Sequence, residues 1–401
     1  YSGDKIASKQ NTYEMWGMTR RVSSVHQDKG EIHYMIDTAR GQSGGGVWYK
    51  DKESENYYVC GVHVRGKGGL VNIATLLTRA IYQQIHKWLQ QANLKELFFY
   101  LGGGDLSFKF LEINTECISL LMKYKPLWYA TLNLSWQKIG NAGALQLAKN
   151  TSWTNLVKLC LDYNCIEAEG AKALAQNTSW TNLSVLNLSH NNIGSEGARA
   201  LSQNTSWTNL SELWLYSNNI DSEGAKALAQ NTSWTNLSQL HLSNNNIGSE
   251  GARALAQNTS WINLSELPLI RNNIGSEGAI ALAKNTSWIN LSLLWLSDNN
   301  IGSEGARALA QNNSWINLLV LSLSDNKIGS EGARAHAQNT SWINLSKLDL
   351  ELCRVRTEGA RALAQNTSWI NLSVLYLPNN LIDSEGARAL EQNTSWTKLS
   401  Q

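Results

Sequence analysis

Ser43 stands in the string Gly41-Gln42-Ser43-Gly44-Gly45-Gly46, between two stretches that alternate apolar and polar residues. Glycines around a serine let the backbone turn tightly and aim successive N–H groups at one point. Such donors can hold the oxyanion formed when a serine hydroxyl attacks a carbonyl. On that chemistry Ser43 is the candidate nucleophile, and the N–H groups of Gly41 and Ser43 are the candidate oxyanion hole. Taken alone, a string of this kind is more commonly a glycine-rich hairpin that carries a serine.

The elements that would position Ser43 are legible on either side of it. EIHYMID (Glu31 to Asp37) and NYYVCGVHV (Asn56 to Val64) have the period of β-strands. RAIYQQIHKWLQ follows, with Ile81, Ile85, Trp88 and Leu89 on one helical face. Short strands closed by an amphipathic helix predict a β-barrel with a docked C-terminal helix over residues 1–90.

Five features occur in order: YSGDK at Tyr1, Met15-Trp16, Tyr34 to Thr38 (Y-x-x-D-T), GQSG at Gly41 and GVHVRG at Gly61. That succession resembles the C-terminal half of trypsin-like serine proteases, and within them the glutamyl endopeptidase branch. The resemblance implies that Ser43 is acylated and that Thr38 and His63 line the primary specificity pocket. A hydroxyl and an imidazole can both donate to an acidic substrate side chain, and a bound anion favours protonated His63. Ala39-Arg40 and the run Ser43-Gly44-Gly45-Gly46 depart from that branch's pattern, which weakens the implied acidic preference. A protein or peptide is the implied substrate, and no cofactor or metal is called for.

The implied triad is incomplete. In this fold the histidine and aspartate precede the serine and come from an N-terminal barrel. His26, His33, Asp28 and Asp37 all lie within the same half-barrel as Ser43 and are rejected as its partners. A half-barrel of ~90 residues also buries a small share of its surface. The chain by itself is therefore expected to be catalytically silent, with a longer parent as the active peptidase. Both ends read as cut, since the sequence starts at Tyr1 and stops a few residues into a repeat at Gln401.

Residues 91–126 are apolar and off-register, and hold all four phenylalanines, Phe98, Phe99, Phe108 and Phe110. A solenoid's first repeat would expose its core face, so this segment is expected to be a connector and N-terminal cap. Its triple glycine, Gly102 to Gly104, lacks the Gly-Lys-Ser/Thr of a phosphate loop and reads as a turn.

Residues 127–401 repeat. Tryptophan recurs every 27 residues from Trp153 through Trp180 to Trp369 and Trp396, without an insertion. Each of about ten units carries L-x-x-L-x-L-x-x-N-x-I, as in Leu183, Leu186, Leu188, Asn191 and Ile193. The leucines predict a short strand, and the asparagine predicts side-chain hydrogen bonds to the backbone of the following turn. Cys353 and Gln137 replace that asparagine in two copies. GSEGARALAQN then predicts a short helix, with Ser195 as N-cap, Ala198 and Leu201 facing inward, and Asn204 as the stop. The pattern resembles the ribonuclease-inhibitor type of leucine-rich repeat found in NOD-like receptors. It implies an α/β horseshoe in which the tryptophans are scaffold. Asn-Thr-Ser and Asn-Leu-Ser match glycosylation acceptors, but as one duplicated feature they are read as turn chemistry.

Two positions do not repeat. The middle strand position includes Asn187, Trp214, His241, Pro268, Trp295, Ser322, Asp349 and Tyr376, and two residues on come Ser189, Tyr216, Ser243, Ile270 and Ser297. Strand alternation puts both series on the concave side. A uniform scaffold with a diversified inner face suits recognition of a protein ligand. Trp214, Tyr216, His241, Trp295, Asp349 and Tyr376 are the candidate contacts, the aromatic ones as exposed anchors.

Composition narrows the rest. A net charge of +2 with 16% charged residues gives no basic stripe for nucleic acid, and no apolar run is long enough to span a bilayer. Five cysteines, Cys60, Cys117, Cys160, Cys165 and Cys353, show no zinc spacing and read as free thiols. Thiols and repeat type lean cytoplasmic while the protease resemblance leans secreted, so localisation is open. The expected whole is a partial trypsin-like β-barrel followed by a leucine-rich-repeat solenoid: a serine endopeptidase with a recognition domain. The alternative is a non-enzymatic recognition protein of NOD-like-receptor type carrying a protease remnant.

Overall fold

The structure, a computed structural model, describes residues 130–399 throughout and, within residues 1–129, the backbone of eleven β-strands. The chain divides into two compact units, Tyr1–Leu134 and Ser135–Gln401.

In the first unit β1 (Lys5–Ile6) and β2 (Lys9–Gln10) pair as a short antiparallel ribbon. A seven-stranded sheet is made from β3 (Tyr13–Met15), β4 (Met18–Thr19), β5 (Val22–His26), β6 (Glu31–Tyr34), β7 (Gly46–Lys50), β8 (Tyr57–Lys67) and β9 (Val71–Leu76). Its order is β4-β3-β7-β8-β9-β6-β5, with every neighbouring pair antiparallel. The two alternating stretches that flank Ser43 fall on β6 and β8. The helix expected after β9 lies outside the described residues. β10 (Phe99–Gly102) and β11 (Asp105–Phe108) form a hairpin closed by the pair Gly102–Asp105. Gly103 and Gly104, where the triple glycine is expected to turn, lie outside the described residues. β12 (Thr131–Asn133) runs parallel to β11.

The second unit follows from the repeat. Nine strands, β13 (Lys158–Cys160) to β21 (Val374–Tyr376), recur at 27-residue intervals and pair in parallel, each with the next. Ten helices are described, α1 (Gly140–Ala148) to α10 (Ser384–Glu391), and one crosses back between each pair of successive strands. A helix is about 10 Å wide, whereas parallel strands sit about 4.8 Å apart, so the stack curves with its strands on the inner side. In the unit around Trp207 the side chains of Trp207, Leu210, Leu213, Leu215, Ile220, Ala225 and Leu228 are all fully buried. The tryptophans are core, as expected.

Two asparagine ladders replace the backbone partners that such short strands cannot supply. Asn299 Oδ1 accepts from the N–H groups of Asn272 and Ile274, and its Nδ2 donates to the carbonyls of Leu269, Leu296 and Ser297. Cys353, in the same position, donates its thiol to the Leu323 carbonyl at 3.0 Å. The second ladder is the Asn-Thr-Ser series. Asn204 Oδ1 accepts from Ser206 and Trp207 N–H, and Nδ2 donates to Ala175 and Asn177 carbonyls. These asparagines are buried with both polar ends engaged, which makes them turn formers in the folded chain.

One local expectation is corrected. Ser195 is not an N-cap: α3 (Gly194–Ser202) begins one residue earlier, after Ile193 in helical conformation and with no side-chain cap. Gly194 takes φ +58°, and the Ser195 hydroxyl reaches across to the Asp221 carboxylate of the next unit. Asp221 is itself a true cap, accepting from Glu223 and Gly224 N–H. The glycine four residues into each GSEG segment has a separate reason. A Cβ on Gly251 would lie 2.6 Å from Ile247 Cγ2 and 3.0 Å from Ala225 Cβ, so adjacent helices touch there backbone to side chain.

Candidate functional site

Ser43, Gly41 and Thr38 lie in the connection between β6 and β7, outside the described residues. His63 lies on β8, opposite Ala74 of β9. Side-chain surroundings are therefore described for the candidate contacts of the second unit.

Those contacts fall into separate groups on the strand face. Register sets Glu212 beside Gln239 and Gln239 beside Glu266 in one row, with Trp214 beside His241 in the next. The Trp214 and His241 rings stack at 5.1 Å between centroids. Tyr216 meets His190 edge-on at 4.5 Å, and His190 stacks on Tyr163, which stacks on Trp136. Trp295 lies beside Pro268 on the next strand but one from His241. Asp349 and Tyr376, mutually adjacent, are two and three strands further on. Asp349 is already engaged, accepting from the Ser322 hydroxyl at 2.9 Å.

Exposure differs from the expectation of free aromatic anchors. Only Tyr376, on the last strand, is exposed at 48%, while Trp214, Tyr216 and Trp295 are half-buried. The cause is lateral: at a strand spacing of about 4.8 Å each large side chain leans on its neighbour in the row. Trp136, at 65%, is the most exposed tryptophan among the described residues.

The electrostatics centre on His241. Burial pushes its imidazole down to about 4, so at neutral pH it is uncharged. Its Nε2 lies 3.9 Å from Glu266 Oε2 and cannot neutralise that carboxylate. Burial, and then the charge of Glu212, holds the Glu266 carboxyl above its usual range. Gln239 Nε2 donates to Glu266 Oε1 at 3.4 Å. Arg271, in the turn that follows the Glu266 strand, is committed to Asp298 at 3.0 Å.

Sequence reasoning did not single out Glu212, Gln239 and Glu266, nor the Trp136–Tyr163–His190 stack. A signal existed for both. These positions also change from copy to copy, one before the core leucine of each strand and four after it. Among the described residues no helix is long and apolar enough to cross a membrane, and no group of three or more His, Cys, Asp or Glu is placed to hold a metal.

A stack of one short parallel strand and one helix per 27 residues, with an asparagine ladder in the turn, defines a solenoid repeat protein. The family described as Leucine Rich repeat matches residues 154–175, 181–202, 208–229, 235–256, 262–283, 290–310, 316–335 and 343–364. The solenoid is thus an array of leucine-rich repeats. Among solved structures the chain is similar to an internalin (inlF) from Listeria monocytogenes, at 18% identity and a TM-score of 0.46, over 74% of this chain and 85% of that one. No match is found among curated proteins.

Proposed function

We propose that the chain is a recognition module that binds a protein ligand on the strand face of its repeats, without catalysis by the repeats themselves. The observation that carries this is the contrast within each unit. Core leucines, tryptophans and both asparagine ladders recur almost unchanged, while residues such as Trp214, His241, Pro268 and Trp295 change on every strand. Half-buried aromatics on a rigid, hydrogen-bonded face lose little side-chain freedom on binding, which suits them as anchors. Asp349 and Tyr376 extend the same face toward its C-terminal end.

The test is site-directed photocrosslinking. Benzoylphenylalanine in place of Tyr216 should capture a specific protein, and the same group in place of exposed Glu304 on the helix side should not. Equal capture from both positions would remove the recognition reading.

A serine endopeptidase is the second reading, with Ser43 as nucleophile, the N–H groups of Gly41 and Ser43 as oxyanion hole, and Thr38 and His63 in the specificity pocket. It is supported by the ordered resemblance of residues 1–90, in which Ser43 lies in sequence between the two alternating stretches. A fluorophosphonate probe on the longest natural form of the protein should label Ser43. Labelling no greater than that of Ser43→Ala ends this reading.

A further inference from the structure

We propose that the strand face over Glu212, Gln239 and Glu266 is a receptor for a basic side chain of the protein ligand, with arginine preferred over lysine. This inference rests on the recognition reading and names the chemistry of its anchor.

Geometry comes first. Glu212 and Glu266 are two strands apart, with Gln239 between them in register. At parallel-strand spacing that separation is roughly 10 Å, wide enough for a planar cation to lie over Gln239 and face a carboxylate on each side. The next row supplies Trp214 and His241, stacked, with Pro268 and Trp295 beyond. Aromatic faces beside carboxylates favour a guanidinium, which stacks on rings and offers donors in a plane.

The charge balance points the same way. Among the described residues neither Glu212 nor Glu266 has a Lys or Arg partner, Arg271 is held by Asp298, and His241 is neutral. Glu266 is partly desolvated and repelled by Glu212, so the face carries negative charge that the folded chain does not compensate. Elsewhere on the solenoid several exposed charges are paired within or between units, as in Arg253 with Glu250, Arg334 with Glu331 and Arg361 with Glu385. A neutral or acidic ligand group would leave the repulsion in place, whereas a cation relieves it.

The experiment uses the whole 401-residue chain labelled with fluorotryptophan. The Trp214 resonance is assigned by its loss in Trp214→Phe. The probe is the pentapeptide acetyl-Gly-Gly-Arg-Gly-Gly-amide, with lysine and citrulline analogues, titrated into the millimolar range expected for one exposed anchor. The arginine peptide should shift Trp214 and leave buried Trp288 unmoved. The lysine analogue should bind more weakly, and citrulline, which has the shape without the charge, should not bind. Glu212→Gln with Glu266→Gln should weaken binding at least about tenfold, while Glu304→Gln should change nothing. Citrulline binding equal to arginine, no loss in the double variant, or no shift of Trp214 would each overturn the proposal. Capture from position 216 reports separately on recognition. If capture persists without a peptide shift, the basic anchor falls and recognition stands; if neither is seen, both fall.

Discussion

His336 occupies the helix position that is leucine in the other copies, including Leu201, Leu228, Leu309 and Leu363. It is fully buried, its Nδ1 donates to the Gly332 carbonyl at 2.9 Å, and its Nε2 has no partner. Its ring lies 5.7 Å from that of Trp342. Burial pushes its imidazole from 6.5 down to about 4. The folded chain therefore keeps His336 neutral while the unfolded chain begins to protonate it near pH 6.5. Because the unfolded state then binds more protons, stability is lost as pH falls through that window and levels off below the folded value. Between roughly pH 7 and roughly pH 5 the loss is about 2 kcal/mol. His336→Leu restores the repeat's own residue, fills the site without an orphaned nitrogen, and should remove that loss. At neutral pH it should also stabilise the unit by about 1–2 kcal/mol. A repeat array opens in segments, so the assay is hydrogen exchange of the amides around α8 (Gly329–Ala337) at both pH values. Comparing native chain with variant cancels the carboxylates common to both. An equal acid-induced loss in the two would refute the reasoning.

Four further outcomes follow from the packing and hydrogen bonds of the repeats. Asn299→Ala leaves two buried N–H groups and the Leu269 and Leu296 carbonyls without their partner, and should cost roughly 3 kcal/mol or more by urea unfolding. Asn290→Ala, which removes one exposed bond to the Ile262 carbonyl, should cost under about 1 kcal/mol. Burial pushes the Cys353 thiol up to about 11, so peptide mapping after iodoacetamide should find exposed Cys165 modified and Cys353 protected until the chain unfolds. Gly251→Ala inserts a methyl between adjacent helices and should lower stability by about 1–3 kcal/mol, despite alanine's better helix propensity.

The repeat architecture could be read from the chain because its determinants are local and copied. A 27-residue period, strand leucines and a turn asparagine leave few other ways to bury the core, and the structure has that arrangement. The misreadings concern interactions between units. Ser195 has the residue type of a cap, yet its hydroxyl is taken by Asp221, 26 residues on. Trp214 and Trp295 were expected to be free anchors, and their strand neighbours half-cover them. Ile262, Ile289, Ile316, Ile343 and Ile370, each one residue after a buried tryptophan, are exposed, because consecutive residues of that turn face opposite ways. For Ser43 and Thr38 the sequence supplies a resemblance, and the side-chain geometry that would test it lies outside the described residues.

The recognition reading is tested most directly by hydrogen exchange of the full chain with and without the protein captured from position 216. Protection is predicted on the strand face, in Glu212–Trp214, Gln239–His241, Glu266–Pro268 and Leu293–Trp295, with the helices unchanged. Protection confined to the helix side would contradict it.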